Sequence, residues 1–177
     1  MKNIMADKII VRAYTDEDLS AMTKIWNEVV AEGIAFPQMQ QMQSEEAERF
    51  FASQTFAAVA EDKETCEVLG LYILHPNNVG RCAHIANASY AVTSGARGKH
   101  IGEKLVRHSI ASLLPNGFSI LQFNAVVASN SCARHLYEKI GFRQLGTIPN
   151  GFRLKNGEYA DICPYYIEAQ KEVTADE

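Results

Sequence analysis

Apolar residues follow two spacings along this chain of 177 residues, and each spacing predicts one kind of element. Apolar residues at every second position predict strands, whereas apolar residues three or four positions apart predict helices. Segments that fit a strand lie at 8–13, 55–60, 67–75, 83–92, 118–127, 142–148 and 159–167. We therefore predict seven strands.

Four helices are predicted between these strands. The first follows a cap at Thr15 or Asp16 and ends at Gly33, a common helix-stop residue. Its apolar face contains Leu19, Met22, Ile25, Trp26 and Val29. The others are expected from Ser44 to Phe51, over 99–113 and over 130–139. This order of strands and helices predicts a mixed α/β (α+β) fold around one central sheet.

The composition is that of an ordinary globular protein. Hydrophobic residues make up 47% of the chain and charged residues 21%, and no repeat or low-complexity linker divides it. We therefore expect a single domain over 1–177, with 168–177 as a frayed, charged tail. The net charge of −4 disfavours nucleic acid and anionic membranes as partners, because their binding surfaces are usually basic.

The cysteines and the first residues indicate a cytoplasmic protein. Cys66, Cys82, Cys132 and Cys163 lack the spacing of zinc sites and of disulfide frameworks. We therefore predict free thiols, no bound metal and a reducing compartment. Residues 1–7 lack a hydrophobic signal core, and no apolar run approaches the ~20 residues of a membrane helix.

The segment from Arg97 to Gly102 has the chemistry of an anion-binding site. It opens a predicted helix, whose first N–H groups lack partners and whose dipole attracts negative charge. Gly98 and Gly102 let the backbone approach a phosphate, and Arg97 and Lys99 add positive charge. The same residues fit an ordinary turn with solvated basic side chains equally well, so this segment alone leaves both interpretations open.

The segment 130–142 combines good helix signals with a candidate polar group. Asn130 is a favourable helix cap, and Gly141 is a favourable helix stop. Ala133, Leu136, Tyr137 and Ile140 share one helical face. Tyr137 therefore also fits a core position with its hydroxyl satisfied by a neighbour.

Together the two segments resemble the GNAT superfamily of acetyltransferases. The chain reads R-x-x-x-x-G at the start of one helix and N-x-x-A-x-x-L-Y-E-K-x-G-F about thirty residues later. The first motif departs from the family pattern R-x-x-G-x-G/A, because His100 stands where its first glycine is usual. A side chain there either crowds a pyrophosphate or donates a hydrogen bond to it. More narrowly, the runs 84–90, 123–127 and 146–149 resemble the fungal branch that N-acetylates proline analogues such as azetidine-2-carboxylate.

The resemblance implies a GNAT fold, in which four helices flank a mostly antiparallel seven-stranded sheet with one splayed, parallel pair of strands. It also implies acetyl-CoA as the cosubstrate, with its pantetheine arm between the fourth and fifth strands. The implied cofactor contacts are Tyr90, Ala91, Val92, Arg97, Gly98, Lys99, His100, Ile101, Gly102 and Asn130. Tyr137 is implied as the catalytic residue near the thioester sulfur, where a phenol can protonate the leaving thiolate.

The general base remains open. Many relatives carry a glutamate on the fourth strand, but 83–92 contains no carboxylate. His84 is the only side chain of that segment that titrates near neutral pH. Either His84 removes the proton, or an already neutral amine attacks directly and water carries the proton away.

Asn87 and Asn124 are the candidate acceptor residues. Asparagine is disfavoured inside strands and is costly to bury without a partner, so two of them on adjacent strands predict a binding site for a substrate carboxylate. Alternatively, they satisfy each other or cap a bulge. The loop 37–43 is expected to form part of a lid over the acceptor. Met22, Trp26, Phe50 and Phe51 are expected in the core rather than at the acceptor entrance.

The resulting prediction is an enzyme that transfers the acetyl group of acetyl-CoA to a small-molecule amine by direct attack in a ternary complex. The amine is expected to be an amino acid or a proline-like cyclic amine. The alternatives are a protein N-terminal or lysine acetyltransferase and a non-catalytic acetyl-CoA-binding module. A homodimer is expected from the resemblance, through the apolar segment 162–167, where Pro164 suits an edge or a bulge.

Overall fold

Eight strands form one sheet in the computed structural model, which describes residues 8–169. They are β1 (Ile9–Ala13), β2 (Phe56–Asp62), β3 (Val68–Pro76), β4 (Ile85–Val92), β5 (Ile120–Val127), β6 (Arg143–Gln144), β7 (Ile148–Arg153) and β8 (Tyr159–Glu168). Their order is β1-β2-β3-β4-β5-β8-β6, and β7 also pairs with β8. Only β4 and β5 are parallel; the other pairs are antiparallel. The predicted mixed α/β architecture with one parallel pair is confirmed.

Four α-helices of the described segment cover the sheet, namely α1 (Leu19–Glu32), α2 (Ser44–Ala52), α3 (Ile101–Ala111) and α4 (Ser131–Ile140). α1 ends at Gly33 as predicted, because its φ of +66° is a left-handed conformation that glycine adopts without steric cost. α3 begins two residues later than predicted, because His100 is also left-handed, with φ of +61°, and interrupts the helix.

Buried side chains on both faces of the sheet hold the helices in place. Ile101, Leu105 and Val106 of α3 pack against one face. Met22, Ile25 and Trp26 of α1 pack with Phe51 of α2 against the other face. Because they are buried in this cluster, Met22, Trp26 and Phe51 are core residues, as predicted, and Phe50 packs beside them partly buried. Truncating a buried aromatic side chain such as Trp26 or Phe51 costs about 3–5 kcal/mol.

β4 and β5 separate soon after they meet. Ile85 pairs with Ile120 and Ala86 with Leu121, and no further pair joins these two described strands. β4 stays paired with β3 as far as Val92, while β5 stays paired with β8. The separation therefore opens a gap within the sheet, as the splayed pair predicts.

The segment 142–148 contains parts of two strands rather than one, so the sheet has eight strands instead of seven. The chain leaves the sheet after β6 because the Gln144 amide donates to the carbonyl of Gly146 (2.9 Å) and to the hydroxyl of Thr147 (3.1 Å). These bonds hold a turn, and β7 begins after it at Ile148.

The segment 162–167 does not offer a free edge for a second copy of the chain. It lies in β8, which pairs with β5 on one side and with β6 and β7 on the other. The Pro164 carbonyl also accepts from the Leu145 N–H (2.8 Å). The predicted dimer surface at this segment is therefore wrong, because both edges of the strand are paired within the chain. The tail was expected from 168, but Glu168 belongs to β8; residues 170–177 lie outside the described residues.

Glu103 links α3 to α4. Its carboxylate lies 2.8 Å from Lys139 Nζ and 2.8 Å from Arg107 Nη2, and its side chain is 18% exposed. Hydrogen bonds from Lys139 and Arg107 lower the pKa of Glu103 from its ordinary 4.5 to about 2. Because the pKa is depressed in the folded state, this carboxylate stabilises the fold above about pH 4.5. The contribution is lost as the pH falls from about 4.5 toward 2.

The substitution Glu103→Gln should lower the free energy of unfolding by about 1 kcal/mol at neutral pH, because its partners are half exposed and screened by salt. The difference from the unsubstituted protein should shrink as the pH falls from about 4.5 and should vanish only below about pH 2, where Glu103 becomes protonated in the folded as well as the unfolded state. Urea denaturation at neutral and acidic pH measures it, with Glu48→Gln on the exposed face of α2 as the control. A difference that does not change with pH would rule out the carboxylate charge as its cause.

Candidate active site

The free edge of β4 supplies peptide groups to the gap. Alternate residues of an antiparallel strand bond to its partner, and the Thr93 N–H donates to the Leu69 carbonyl (3.0 Å) on the β3 side. Like Thr93, the odd-numbered residues of β4 therefore direct their peptide N–H and C=O groups toward β3. The peptide groups of Ala88, Tyr90 and Val92 therefore point toward β5, from which β4 has separated.

A cavity of about 380 Å³, here called the main cavity, occupies this gap and reaches both faces of the sheet. The loop after α1 borders it through Ala35, Phe36 and Pro37. The two strands contribute 87–90 and 123–127, and the two later helices contribute Gly102, Val106, Asn130, Ala133, Leu136 and Tyr137. Six of the predicted site residues meet here, namely Asn87, Tyr90, Gly102, Asn124, Asn130 and Tyr137.

The Tyr137 hydroxyl has no hydrogen-bond partner among residues 8–169, although its ring is packed on Phe123 with 4.6 Å between centroids. The neighbouring tyrosines all have partners, Tyr72 with His108, Tyr90 with Ser109 and Tyr165 with Glu138. Burial raises the pKa of the Tyr137 hydroxyl above its ordinary value. At neutral pH this group is therefore a protonated donor in the main cavity, available to a ligand.

Asn130 caps α4 as predicted. Its Oδ1 accepts from the Ala133 N–H at 3.2 Å, which satisfies one of the free donors of the first helical turn. Its side chain also borders the main cavity. Asn130 therefore both caps α4 and forms part of the cavity wall, which places the start of α4 at the cavity.

The turn at 97–102 is shaped by two left-handed residues, Gly98 (φ +79°) and His100 (φ +61°). The family that this chain resembles usually has glycine where His100 stands, and a left-handed φ favours glycine. The His100 side chain is 68% exposed, and its Nδ1 lies 3.7 Å from the Glu103 carboxylate. Lys99 is exposed, whereas the Ile101 side chain is buried in the core and only its backbone is free for a ligand.

Two acidic residues of α1 hold this turn. Glu32 pairs with Arg97 (2.7 Å), and Glu28 accepts from the Ser94 N–H (3.2 Å). Arg97 lines a cavity of about 400 Å³, here called the Arg97 cavity. Tyr90 and Asn130 line both this cavity and the main cavity. Our sequence analysis missed both glutamates, although their spacing of four residues places them on one helical face.

Ala91 is placed differently from Tyr90 and Val92. It pairs with Leu71 of β3, and its side chain is 1% exposed in the core beneath α1. Its peptide groups are in the phase that bonds to β3. Of the three predicted contacts on β4, Tyr90 and Val92 therefore present their backbones to the gap, and Ala91 does not.

Asn87 and Asn124 do not bond to each other. The Asn87 Oδ1 accepts from the Ala88 N–H (2.8 Å). Asn124 forms a reciprocal amide pair with Asn77 of the β3–β4 connection, which our sequence analysis missed. β5 also carries an irregularity between Phe123 and Val126, so the regular strand alternation of side chains is interrupted at Asn124.

His84 lies away from the main cavity. It is exposed and precedes β4 at the closed end of the gap, where its carbonyl accepts from the Ser119 N–H (2.9 Å). The predicted role of His84 as a base is therefore not supported by its position. No Asp or Glu among the described residues lines the main cavity.

No helix within 8–169 is long and apolar enough to cross a membrane. Within the same range, no three His, Cys, Asp or Glu side chains are grouped so that they could hold a metal ion.

The family model of the acetyltransferase (GNAT) family matches residues 17–142, which is more than half of the chain. The chain belongs to the GNAT acetyltransferase family. This membership confirms the predicted enzyme class, and the matched residues include α1 to α4, the separating strands and both motifs.

Individual relatives agree with the GNAT assignment. The N-acetyltransferase aca1 of Schizosaccharomyces pombe is 30% identical, with 92% of this chain and 85% of that protein covered. A GCN5-related N-acetyltransferase from Kribbella flavida is also 30% identical, with a TM-score of 0.84 and coverage of 92% and 99%. A phosphinothricin acetyltransferase from Sinorhizobium meliloti in complex with AcCoA shares the fold at 21% identity, with a TM-score of 0.85 and coverage of 96% and 92%.

The left-handed turn residue gives a matched pair of variants, His100→Gly and His100→Ala. Both remove the imidazole, but only glycine adopts φ of +61° without a steric penalty. The glycine variant should be more stable than the alanine variant by about 1 kcal/mol. Urea denaturation of the two proteins measures this difference. Equal stabilities would show that the backbone at this position relaxes instead of remaining left-handed.

Proposed function

We propose that this GNAT acetyltransferase transfers the acetyl group of acetyl-CoA to the amine of a small molecule, an amino acid or a proline-like cyclic amine. The main observation is the partnerless Tyr137 hydroxyl in a cavity that opens between β4 and β5 toward both faces. Direct attack requires donor and acceptor to meet in one ternary complex, and a gap through the sheet lets them enter from opposite faces.

Acetyl-CoA is the cosubstrate that the sequence predicts, and the prediction is confirmed by family membership and by the fold shared with the AcCoA complex from Sinorhizobium meliloti. The described residues fit this ligand. The peptide groups of Tyr90 and the Val92 N–H, on the free edge of β4, suit the amides of pantetheine, while the Val92 carbonyl accepts from Arg97 Nε (3.4 Å). The first N–H groups of α3 suit a pyrophosphate.

We assign the pyrophosphate to the backbone of 97–102, with Lys99 as a nearby cation. Arg97 is paired with Glu32 and borders the Arg97 cavity, so it is placed to turn toward an anion. Asn130 stands between the Arg97 cavity and the main cavity and would bind the coenzyme where it passes from one to the other.

Tyr137 is assigned as the catalytic acid. When bound, acetyl-CoA supplies a thioester whose thiol product has an ordinary pKa near 8.5. The Tyr137 hydroxyl keeps its proton at neutral pH and can donate it to a departing thiolate. A peptide N–H on the free edge of β4 can stabilise negative charge on the carbonyl oxygen.

Proton removal from the amine is assigned to water. The main cavity has no carboxylate among its described lining residues, and His84 lies outside it. A neutral amine can therefore attack directly, which makes the reaction depend on the fraction of acceptor that is unprotonated. Rates should accordingly rise with pH toward the pKa of the acceptor amine.

The small-molecule acceptor is supported by the size and position of the site. Asn87 and Asn124 border the main cavity, whose volume of about 380 Å³ is in the range of small-molecule sites. The resemblance to the fungal branch acting on proline analogues is supported in its coarser form by the N-acetyltransferase of Schizosaccharomyces pombe. The proline-like acceptor itself is our proposal.

A cytoplasmic setting and a homodimer complete the proposal. Cys66, Cys82 and Cys132 are exposed free thiols, which suits a reducing compartment. Because β8 is paired on both edges, a dimer would have to use another surface.

The acceptor class is tested by thiol release from acetyl-CoA with amino acids, cyclic secondary amines, polyamines and peptides. Proline-like amines and amino acids should give the highest kcat/KM. Preference for peptides would support a protein acetyltransferase instead. No turnover of any amine, together with thermal stabilisation by coenzyme A, would show a non-catalytic binding module.

The substitution Tyr137→Phe should lower kcat by about tenfold to a thousandfold, because it removes the proton donor and keeps the ring. Binding of coenzyme A, measured by calorimetry, should change little. Tyr72→Phe is the matched control, because it removes a buried hydroxyl that bonds His108 outside the main cavity. If kcat is unchanged in Tyr137→Phe, the hydroxyl is not the catalytic acid and Tyr137 has only a structural role.

A further inference from the structure

A separate cavity of about 500 Å³ lies between the residues that follow α1 and the hairpin that joins β7 to β8. We call it the Arg153 cavity. One wall consists of Val30, Ala31, Gly33, Phe36, Pro37, Gln38, Met39 and Gln41, and the other of Phe152, Arg153, Leu154 and Lys155. Most of these side chains are apolar, and the volume suits a small organic molecule.

The two walls are held together by specific contacts. Lys155 Nζ donates to the Ala31 carbonyl at 2.9 Å, near the end of α1. Lys155 also approaches Gly33 so closely that a Cβ at Gly33 would lie 2.8 Å from Lys155 Cβ. Phe152 is buried with Val127 and Ile162, which anchors the hairpin on the sheet. The cavity is therefore a fixed feature of the fold.

The Arg153 cavity adjoins the main cavity. Phe36 and Pro37 line both of them. Val127, which lines the main cavity, packs on Phe152 of the Arg153 cavity. A molecule that occupies the Arg153 cavity can therefore extend past Phe36 and Pro37 toward Tyr137.

The charge of the Arg153 cavity is positive. Its lining contains Arg153 and Lys155 and no aspartate or glutamate among the described residues. Lys155 is engaged by the Ala31 carbonyl. The Arg153 side chain is exposed, and its guanidinium has no hydrogen-bond or ion-pair partner within 8–169, as is also true of Arg49, Arg81 and Arg143. Of these four arginines, Arg153 alone lines one of the cavities described above. A cation that no described residue engages therefore lies at the wall of a mostly apolar cavity, in a chain of net charge −4.

We propose that Arg153 binds the carboxylate of the acceptor and thereby determines its specificity. The planar guanidinium matches a carboxylate with two parallel hydrogen bonds. The apolar body of the acceptor packs against Phe36 and Phe152, and its amine extends past Pro37 to the main cavity. This inference rests on the proposed function and names its substrate class, an amine that carries a carboxylate and an apolar body.

This assignment changes the part played by the asparagines. Both polar atoms of the Asn124 side-chain amide are engaged: its oxygen accepts from Asn77 and Gln122, and its nitrogen donates to Asn77. Asn124 is therefore poorly placed to satisfy a whole carboxylate, whereas no other residue of 8–169 engages the Arg153 donors. Asn87 borders the main cavity and is left to orient the part of the acceptor near the amine.

The test compares amino acids with their amides, for example proline with prolinamide and phenylalanine with phenylalaninamide. In Arg153→Gln, KM for the acids should rise about 10- to 100-fold, as expected for loss of hydrogen bonds to a charged group, while kcat stays within about twofold. KM for the amides should not change. Arg153→Lys should restore part of the affinity for the acids. Arg143→Gln is the matched control, because Arg143 is exposed on β6 and lines none of the cavities described above.

Equal changes in KM for acids and amides, or no change for either, would overturn the role of Arg153. Calorimetric titration of proline into the complex with coenzyme A gives a readout that does not depend on turnover. Binding there should be lost in Arg153→Gln and kept in Arg143→Gln. If the unsubstituted protein acetylates amides as well as acids, the proposed function stands and the Arg153 assignment fails. If it acetylates no amine at all, the proposed function itself fails.

Discussion

Beyond Ala86, the peptide groups on one edge of β4 have no strand opposite them, while those on the other edge remain bonded to β3 as far as Val92. A sheet normally satisfies both edges of an inner strand, because an unpaired buried peptide group costs free energy. On this edge of β4, side chains engage the Ala88 N–H and the Val92 carbonyl, and the remaining peptide groups are left to solvent or a ligand. The location of the main cavity, and the assignment of the coenzyme to it, depend on this one interruption of the hydrogen-bond ladder.

Side-chain packing keeps the separated strands in a fixed relation. The Tyr90 ring of β4 meets the Phe123 ring of β5 edge-on, with 5.8 Å between centroids, and Phe123 in turn packs on Tyr137 of α4. Aromatic contacts of this kind are worth about 0.5–1.5 kcal/mol each beyond their burial. They join β4, β5 and α4 on one face of the sheet, where hydrogen bonds between the strands are absent. The Tyr137 hydroxyl is consequently positioned by these ring contacts, because it has no hydrogen-bond partner within 8–169.

Local signals in the sequence were sufficient for much of this structure. Gly33 ends α1, Asn130 caps α4 and Gly141 ends it, as their intrinsic preferences predict. The resemblance to a known family supplied the separation of β4 from β5, which no local pattern indicates. It also directed attention to Tyr137, whose helical spacing alone is equally typical of the core.

The remaining features depend on contacts between distant parts of the chain, which local spacing does not encode. Asn124 is paired with Asn77, 47 positions away, and an irregularity in β5 changes its alternation. Arg153 belongs to a cavity whose other wall is more than a hundred residues earlier in the chain. The turn after β6 depends on the Gln144 side chain, whose reach to Thr147 is a tertiary detail of one loop. Each of these required the packed structure.

The last turns of α1 serve both sides of the gap. Glu28 and Glu32 hold the segment from Ser94 to Arg97, while the Ala31 carbonyl holds Lys155 of the β7–β8 hairpin. The end of one helix therefore supports both the turn at 97–102, to which we assign the pyrophosphate, and the wall that we propose for the acceptor. In the proposed ternary complex, about one turn of α1 connects the supports of the two reactants, so a displacement of that turn would change how the amine and the thioester are aligned.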